Sequence, residues 1–117
     1  MHQYKQLAVW QNAVDFVVDI YLNTNNFPTE ERFGLTSQLR RAAVSIASNI
    51  AEGACRNTPG EFAHFLGISA GSVAEVETQL IIANRLGFVS EEKANDLSAK
   101  GDVIINKLWK LKASVKK

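Results

Sequence analysis

The stretch TPGEFAHFLGISAGSVAEVETQLIIANRLG, residues 58–87, decides the fold. Its apolar and small residues recur at alternating steps of four and three, the spacing of a helix that packs along one seam. The seam comprises Phe62, Leu66, Ser69, Val73, Val76, Leu80, Ala83 and Gly87. Thr58 can cap the helix, Pro59 suits its first position, and Glu61 can complete a capping box. We therefore predict one helix over residues 58–86.

Three further segments show the same periodicity and are separated by turn residues. The predicted helices cover about residues 7–25, 29–54 and 90–115. Gly34 is expected to break the first turn of the second helix, and Gly53 stands where a C-terminal glycine is useful. Loops of a few residues force neighbouring helices to be antiparallel. We predict a single all-α domain over residues 1–117, folded as an antiparallel up-and-down four-helix bundle.

The composition is that of an ordinary globular domain. The 117 residues are 46% hydrophobic and 21% charged, with a net charge of +1. No uninterrupted apolar run reaches the roughly 18–20 residues of a membrane span, and the first residues lack the pattern of a secretory signal. The single cysteine, Cys55, cannot form an internal disulfide, which agrees with a reducing compartment. We expect a cytoplasmic protein without a membrane partner.

Residues 67–71 read GISAG, which matches the G-x-S-x-G string of the α/β-hydrolase nucleophile elbow. The elbow needs a strand that turns sharply into a helix, whereas Ser69 lies in the middle of the predicted third helix. The chain has only two histidines, His2 and His64, and His64 points about 140° away from Ser69 on that helix. We interpret both glycines of the string as points where another helix backbone comes close, because each costs about 1 kcal/mol relative to alanine.

Other catalytic and metal-binding interpretations also lack support. His2, Cys55 and His64 do not have the spacing of metal ligands, and the chain contains no phosphate-binding or dinucleotide-binding glycine loop. Arg56 and His64 resemble the Arg–His pair of all-helical RNases of the higher-eukaryote-and-prokaryote nucleotide-binding type, but Pro59 would break the helix between them. We expect no enzyme activity, no cofactor and no metal; a small-molecule enzyme is the outside alternative.

Basic residues gather in the last 15 residues, which contain no acidic residue. The candidate nucleic-acid contacts are these lysines and two arginines from elsewhere in the chain: Lys107, Lys110, Lys112, Lys116, Lys117, Arg56 and Arg85. Such a patch can bind phosphates without reading sequence. The alternative is a solvated helix end whose cations favour the helix dipole. Trp109 is the aromatic residue near the lysines that could stack on a base, although such a residue more often belongs to the core.

The outer faces of the second and third helices carry few long charged side chains, which is unusual for the exposed side of a bundle. The third helix also has a second apolar stripe beside its seam. We predict a homo-oligomer that uses these two helices as its contact. The candidate residues are Arg40, Arg41, Ser45, Ser48, Glu52, Phe65, Ile68, Gly71, Ser72 and Glu75. The alternative is a monomer with a serine-rich surface.

Three long stretches carry a family resemblance: LAVWQNAVDFVVDIY (7–21), FPTEERFGLTSQLRRAAVSIASNIAEG (27–53) and EFAHFLGISAGSVAEVETQL (61–80). They resemble the four-helix bundle proteins encoded in intervening sequences of bacterial 23S ribosomal RNA genes, over about residues 4–111. The resemblance implies an all-helical, pentameric bundle without known catalytic residues. That family is in turn similar to the accessory variability determinant of diversity-generating retroelements, a homopentamer that binds a reverse transcriptase and nucleic acid.

Two functions remain open on these grounds. The first is a non-enzymatic oligomeric bundle that binds RNA or other nucleic acid through its basic patches. The second is a protein-interaction scaffold, or an accessory factor for an enzyme encoded nearby such as a reverse transcriptase. The expected partners are therefore a second copy of the chain, RNA or DNA, or another protein.

Overall fold

A computed structural model of the chain describes residues 3–115, which form four α-helices and no β-strand. The helices are α1 (Ala8–Thr24), α2 (Leu35–Ala54), α3 (Pro59–Arg85) and α4 (Glu91–Val115). Short 3-10 turns precede α1 at Tyr4–Gln6 and α2 at Thr29–Glu31. The prediction of an all-α four-helix bundle is confirmed.

The helices pack around one long axis, with α3 between α2 and α4, and α1 closing the bundle against those two helices. Gln79 pairs with Gln38, and Ser69 contacts Ile46, so the numbering rises on α3 as it falls on α2. The bundle measures 45 × 23 × 20 Å. We call the end with the α2–α3 loop and the C-terminal turns of α4 the tail end. The loop end holds the α1–α2 and α3–α4 loops.

The predicted seam of α3 lies at the centre of the core. Its members from Phe62 to Ala83 are at most 3% exposed, and Gly87, beyond the helix, is exposed. Large buried side chains from the other helices meet this seam: Phe16, Ile20, Leu39, Ile46, Ile50, Leu97, Ile104 and Leu108. Burying one such side chain stabilises the fold by about 1.5–3 kcal/mol, so the seam is the main source of stability.

The ends of α3 follow their predicted chemistry in part. The hydroxyl of Thr58 accepts a hydrogen bond from the backbone N–H of Glu61 at 3.1 Å, as an N-cap should. The Glu61 carboxylate accepts from the Thr58 hydroxyl at 3.2 Å and not from the backbone, so the capping box is only half formed. Gly87, with a φ of 81°, ends the helix in the left-handed conformation that glycine tolerates.

The second predicted helix is shorter than expected, and Gly53 has a different role. Gly34 separates the 3-10 turn from α2, and the Glu31 carboxylate accepts from the N–H of Leu35 at 3.1 Å. Gly53 lies inside α2, is buried, and would place a Cβ only 2.6 Å from Cβ of Phe65. The prediction that Gly53 ends the helix is therefore wrong: it is the point where α2 and α3 approach most closely.

By length and composition alone, α3 is apolar enough to cross a membrane. Its sequence contains no uninterrupted apolar run of that length, because glycine, serine and glutamate separate its apolar residues. In the bundle this helix packs between α2 and α4, and its seam is the hydrophobic core. The core of a bundle explains the apolar composition of α3 without a membrane.

Candidate nucleic-acid interface and assembly face

The hydroxyl of Ser69, the suspected nucleophile, points into the core. Ser69 is fully buried, and its Oγ donates a hydrogen bond to the carbonyl oxygen of Ile46 at 2.8 Å. His64 is exposed on the outside of the same helix. The GISAG string cannot act as a nucleophile elbow here, because the hydroxyl reaches neither solvent nor a base.

Three of the predicted lysines lie together on the last turns of α4, at the tail end. Lys107 and Lys110 are exposed, and Lys112 is half-buried. Nζ of Lys107 donates to Oδ1 of Asn12 at 2.6 Å, which ties α4 to α1. Lys116 and Lys117 belong to the same prediction but lie outside the described residues.

The two predicted arginines lie at opposite ends of the bundle. Arg56 is at the tail end, where its guanidinium lies 2.8 Å from the Glu52 carboxylate and 4.9 Å from the centroid of the Phe65 ring. Arg85 is the last residue of α3, at the loop end. A helix of that length separates the two ends by about 40 Å. The structure therefore places Arg56 at the same end as the lysines and Arg85 at the opposite end.

The helix segments around the lysines contain no acidic side chain. This holds for residues 103–115 of α4 and for residues 62–74 of α3, which runs beside it. Of the acidic residues nearest the tail end, Glu52 is paired with Arg56, and Glu61 belongs to the first turn of α3. Uncompensated lysines give this end a positive field that attracts polyanions.

Trp109 lies at the surface and does not belong to the core. Its side chain is 49% exposed, because Leu108 takes the core position and the next residue of a helix turns by about 100°. Nζ of Lys112 lies 5.4 Å from the centroid of the Trp109 ring. The other tryptophan, Trp10, is half-buried and packs edge-on against Tyr4.

Four of the predicted assembly residues are engaged within the chain. Nε of Arg40 donates to the Thr24 hydroxyl at 2.9 Å, and its guanidinium covers the Tyr21 ring. The hydroxyls of Ser45 and Ser72 lie 3.0 Å apart and join α2 to α3. Phe65 is half-buried against Gly53 under the Arg56 guanidinium. Arg40, Ser45, Phe65 and Ser72 thus make contacts inside one subunit, and their part in assembly stays a prediction.

Five of the remaining candidates, together with two exposed aliphatic residues beside them, form a strip along α2 and α3 that we call the outer face. The candidates are Arg41, Ser48, Ile68, Gly71 and Glu75, and the aliphatic residues are Val44 and Ile82. Val44, Ile68 and Ile82 are 40–44% exposed, a large fraction for aliphatic side chains. Arg41 and Glu75 have no ion pair within residues 3–115. Glu52, also predicted here, is exposed but paired with Arg56.

The glycines of GISAG do not mark close contacts between helices of one chain. A Cβ at Gly71 would meet nothing within 4 Å, and one at Gly67 would meet only the end of the Lys112 side chain, at 3.5 Å. Within one subunit no other helix backbone comes close to either glycine, and the approach of a helix from another copy stays a prediction. The close approaches are at Gly53, against Phe65, and at Gly101, against Glu77.

A carboxyl pair between α3 and α4 escaped the sequence reasoning. Oε2 of Glu77 is buried without a hydrogen-bond donor, 2.7 Å from the position of a Cβ at Gly101. Burial, a hydrogen bond with the neighbouring Asp102 carboxyl and the charge of Asp102 raise the pKa of Glu77 to about 7. A hydrogen bond between two carboxyl groups requires a proton on one of them, so this contact favours the protonated form of Glu77. The one sequence feature that indicates burial of Glu77 is its position directly after the seam residue Val76.

Two other kinds of feature could form a site: a cleft and a cluster of metal-ligating side chains. A cleft of about 350 Å³ between α1 and α4 is lined by Asn12, Asp15, Phe16, Asp19, Lys100, Val103 and Ile104. Asp19 is already paired there with Lys100 at 2.9 Å, which raises the pKa of Lys100. Within the described part of the chain, no three His, Cys, Asp or Glu side chains come together as metal ligands.

Comparison with known proteins places this geometry in a family. The crystal structure of a protein with unknown function from the S23 ribosomal protein family of Bacteroides thetaiotaomicron VPI-5482 superposes with a TM-score of 0.81. The two are 22% identical over 94% of this chain and 100% of the other, a likeness that shows a shared fold. No curated protein matches the chain. The profile of the 23S rRNA-intervening sequence proteins matches residues 5–110, and the chain belongs to this family.

Proposed function

We propose that the chain is a non-enzymatic subunit of a homo-oligomer, and that the assembly binds RNA through the tail ends of its bundles. The observation that carries the proposal is the acid-free C-terminal part of α4, whose last turns carry Lys107, Lys110 and Lys112. Lysines without neighbouring carboxylates are the usual basis of phosphate binding that is blind to sequence.

The outer face supports assembly with further copies of the same chain. It combines three half-exposed aliphatic side chains with one unpaired cation, Arg41, and one unpaired anion, Glu75. Because this face carries both a positive and a negative side chain, the same face of a second copy can pair with both charges. A partner whose surface carries charges of only one sign can pair with only one of them. The family resemblance favours a cyclic pentamer.

Cyclic symmetry would strengthen weak phosphate contacts. Each subunit has three lysines on the last turns of α4, and the sequence continues with two more, Lys116 and Lys117. Linked sites bind a long polyanion with an avidity that exceeds the affinity of one site by orders of magnitude. A small bundle with a net charge of +1 can thereby hold RNA without being strongly basic as a whole.

Light scattering after size exclusion tests the assembly. The unmodified chain is expected to elute as a multiple of 12.9 kDa. Arg41→Glu or Glu75→Arg alone should lower the molar mass, and the combined exchange should restore it. Lys93→Glu, at an exposed position of α4 near the loop end, is the control. A 12.9 kDa species at micromolar concentration for the unmodified chain would refute assembly.

Titration of labelled single-stranded RNA tests the binding. Affinity should fall steeply between about 50 and about 200 mM salt. Replacing Lys107, Lys110 and Lys112 together by glutamine should reduce the slope of log K against log salt by about 2, at about 0.7 per phosphate contact. The control variant carries Lys93→Gln and Arg85→Gln at the loop end. Absence of binding at about 50 mM salt would exclude this function.

A second candidate function rests on the loop end. Phe33 is 89% exposed, with only the Arg32 guanidinium near its ring, and Leu86 is 58% exposed on the neighbouring loop. An aromatic side chain of this kind suits a protein partner, such as an enzyme encoded nearby. The immobilised protein should capture that enzyme and Phe33→Ser should not. Recovery of the bait alone would count against this candidate.

A further inference from the structure

The surface beside Trp109 is an exposed aromatic ring next to an open helix face. Trp109 is 49% exposed on α4, so about half of its side chain faces open space. Beside the ring, the side chain of Lys112 extends toward Gly67 of α3, which has no side chain of its own. Nζ of Lys112 would lie 3.5 Å from a Cβ at Gly67, which places the ammonium group at the edge of this space.

The charges around the ring favour an anionic ligand. Lys112 lies 5.4 Å from the ring centroid, and the exposed Lys110 is the next residue after Trp109 on α4. The facing segments 62–74 and 103–115 contain no acidic side chain. A purely apolar partner would leave these cations desolvated without compensation, whereas a polynucleotide brings phosphates for the lysines and flat bases for the ring.

We propose that Trp109 is a stacking platform for an unpaired base, with Lys112 and Lys110 contacting the adjacent phosphates. The ligand is therefore a single-stranded polynucleotide, because bases inside a duplex do not expose their faces. On the side of α3, Gly67 has no side chain that would compete with Lys112 for this space. This site rests on the proposed RNA binding and specifies which strand conformation is bound.

Fluorescence of Trp109 reports on the site directly. In a Trp10→Phe background Trp109 is the sole tryptophan. Oligouridine and oligodeoxyuridine should each quench its emission, and because they differ only in the 2′-hydroxyl, a difference between the two shows whether the sugar is read. A double-stranded RNA of equal length should quench much less at equal occupancy.

Substitution of the ring separates stacking from charge. Trp109→Leu is expected to weaken binding of the single strand roughly tenfold, a typical loss for one stacked base, while Trp109→Tyr should retain most of the affinity. Circular dichroism and the melting temperature should be unchanged in both variants, since the ring is half exposed. The salt dependence of binding should also be unchanged, because no lysine has been removed.

The outcomes distinguish this site from the general proposal. If no polynucleotide binds at low salt, RNA binding itself fails and the stacking site with it. If binding is salt-dependent but Trp109 is not quenched and Trp109→Leu binds as tightly, the stacking site is refuted while RNA binding stands. A blue shift of Trp109 emission with protein concentration alone would show that a second copy covers the ring, which also refutes the site.

Discussion

Glycine has opposite consequences at two positions of this chain. At Gly53 the missing Cβ lets α2 touch α3, because a Cβ there would lie 2.6 Å from Cβ of Phe65 and 3.3 Å from the carbonyl oxygen of Phe62. At Gly71 the missing Cβ faces open space. The first glycine is required by packing within the subunit, whereas the second only lowers the helix propensity of α3.

Alanine at these two positions should therefore change stability in opposite directions. Gly53→Ala is expected to destabilise the fold by about 1–3 kcal/mol, since neither neighbour is a flexible side-chain end. Gly71→Ala should stabilise it by up to about 1 kcal/mol through helix propensity. Urea unfolding of both variants measures the difference. Equal shifts would contradict the close approach of α2 and α3 at Gly53.

The Glu77–Asp102 pair should make stability depend on pH. The pKa of Glu77 is raised from 4.5 to about 7 in the folded chain, so the folded state binds the proton more tightly than the unfolded state. Its contribution is greatest below pH 4.5 and is lost as the pH rises through about 7. Glu77→Gln should accordingly raise the melting temperature most at pH 8 and progressively less toward pH 5.

Asp102→Asn provides the matched test of this pair. It removes the neighbouring charge and leaves Glu77 buried, so it should reproduce only part of the effect of Glu77→Gln. In the double variant the two gains should not add, because the same repulsion is removed twice. A stability difference between Glu77→Gln and the unmodified chain that is constant from pH 5 to pH 8 would show that Glu77 does not titrate there.

At the scale of the element, α3 has two faces with different tasks. Its seam from Phe62 to Ala83 is buried in the core, while Ile68, Glu75 and Ile82 lie on the outer face. Between these faces, Ser72 bonds to Ser45 and Gln79 to Gln38, which lock α3 against α2 with small polar contacts. A helix with this division can hold the subunit together and present a second surface at the same time.

Gly71→Leu tests whether the outer face is used in assembly. The side chain enters open space in the subunit, so the helical circular dichroism and the cooperativity of unfolding should be retained. In a tightly packed assembly the added bulk should displace the neighbouring copy and lower the molar mass seen by light scattering. Ser69→Ala, in the core of the same turn, is the control and should leave the mass unchanged. Loss of the fold in Gly71→Leu would contradict the open space at Gly71.

At the scale of the whole molecule, the bundle is unevenly packed. α3 is held closely by both of its neighbours, whereas α1 packs less closely on α2 and least on α4. Asn12 with Lys107, and Asp19 with Lys100, supply polar contacts across the α1–α4 boundary. Exposed contacts such as this hydrogen bond and this ion pair contribute at most about 1 kcal/mol each, so α1 is the most weakly held helix.

Native-state hydrogen exchange should follow this order. Amide protons of α3 are expected to exchange last, near the rate of global unfolding, and those of α1 first among the four helices. Mass spectrometry of exchanged peptides measures the protection of each helix separately. Protection of α1 equal to that of α3 would show that the bundle opens only as a whole.

The sequence by itself determined the four helices, the seam of α3 and the Thr58 cap. These follow from local chemistry, because helical spacing decides which residues share a face and because a cap bonds within one turn. Most of α2 was equally predictable, including the break at Gly34. The cluster of three described lysines was visible for the same reason, since all lie on one helix.

Only the tertiary structure decided which residues meet across helices. Arg40 bonds to Thr24, Glu77 meets Asp102, Gly53 receives Phe65, and the side chain of Lys112 reaches Gly67. Spacing within one helix fixes the direction of a side chain but not the helix opposite it, nor the axial register between the two. Whether a glycine is a contact or a gap, and whether a tryptophan is core or surface, depends on that register.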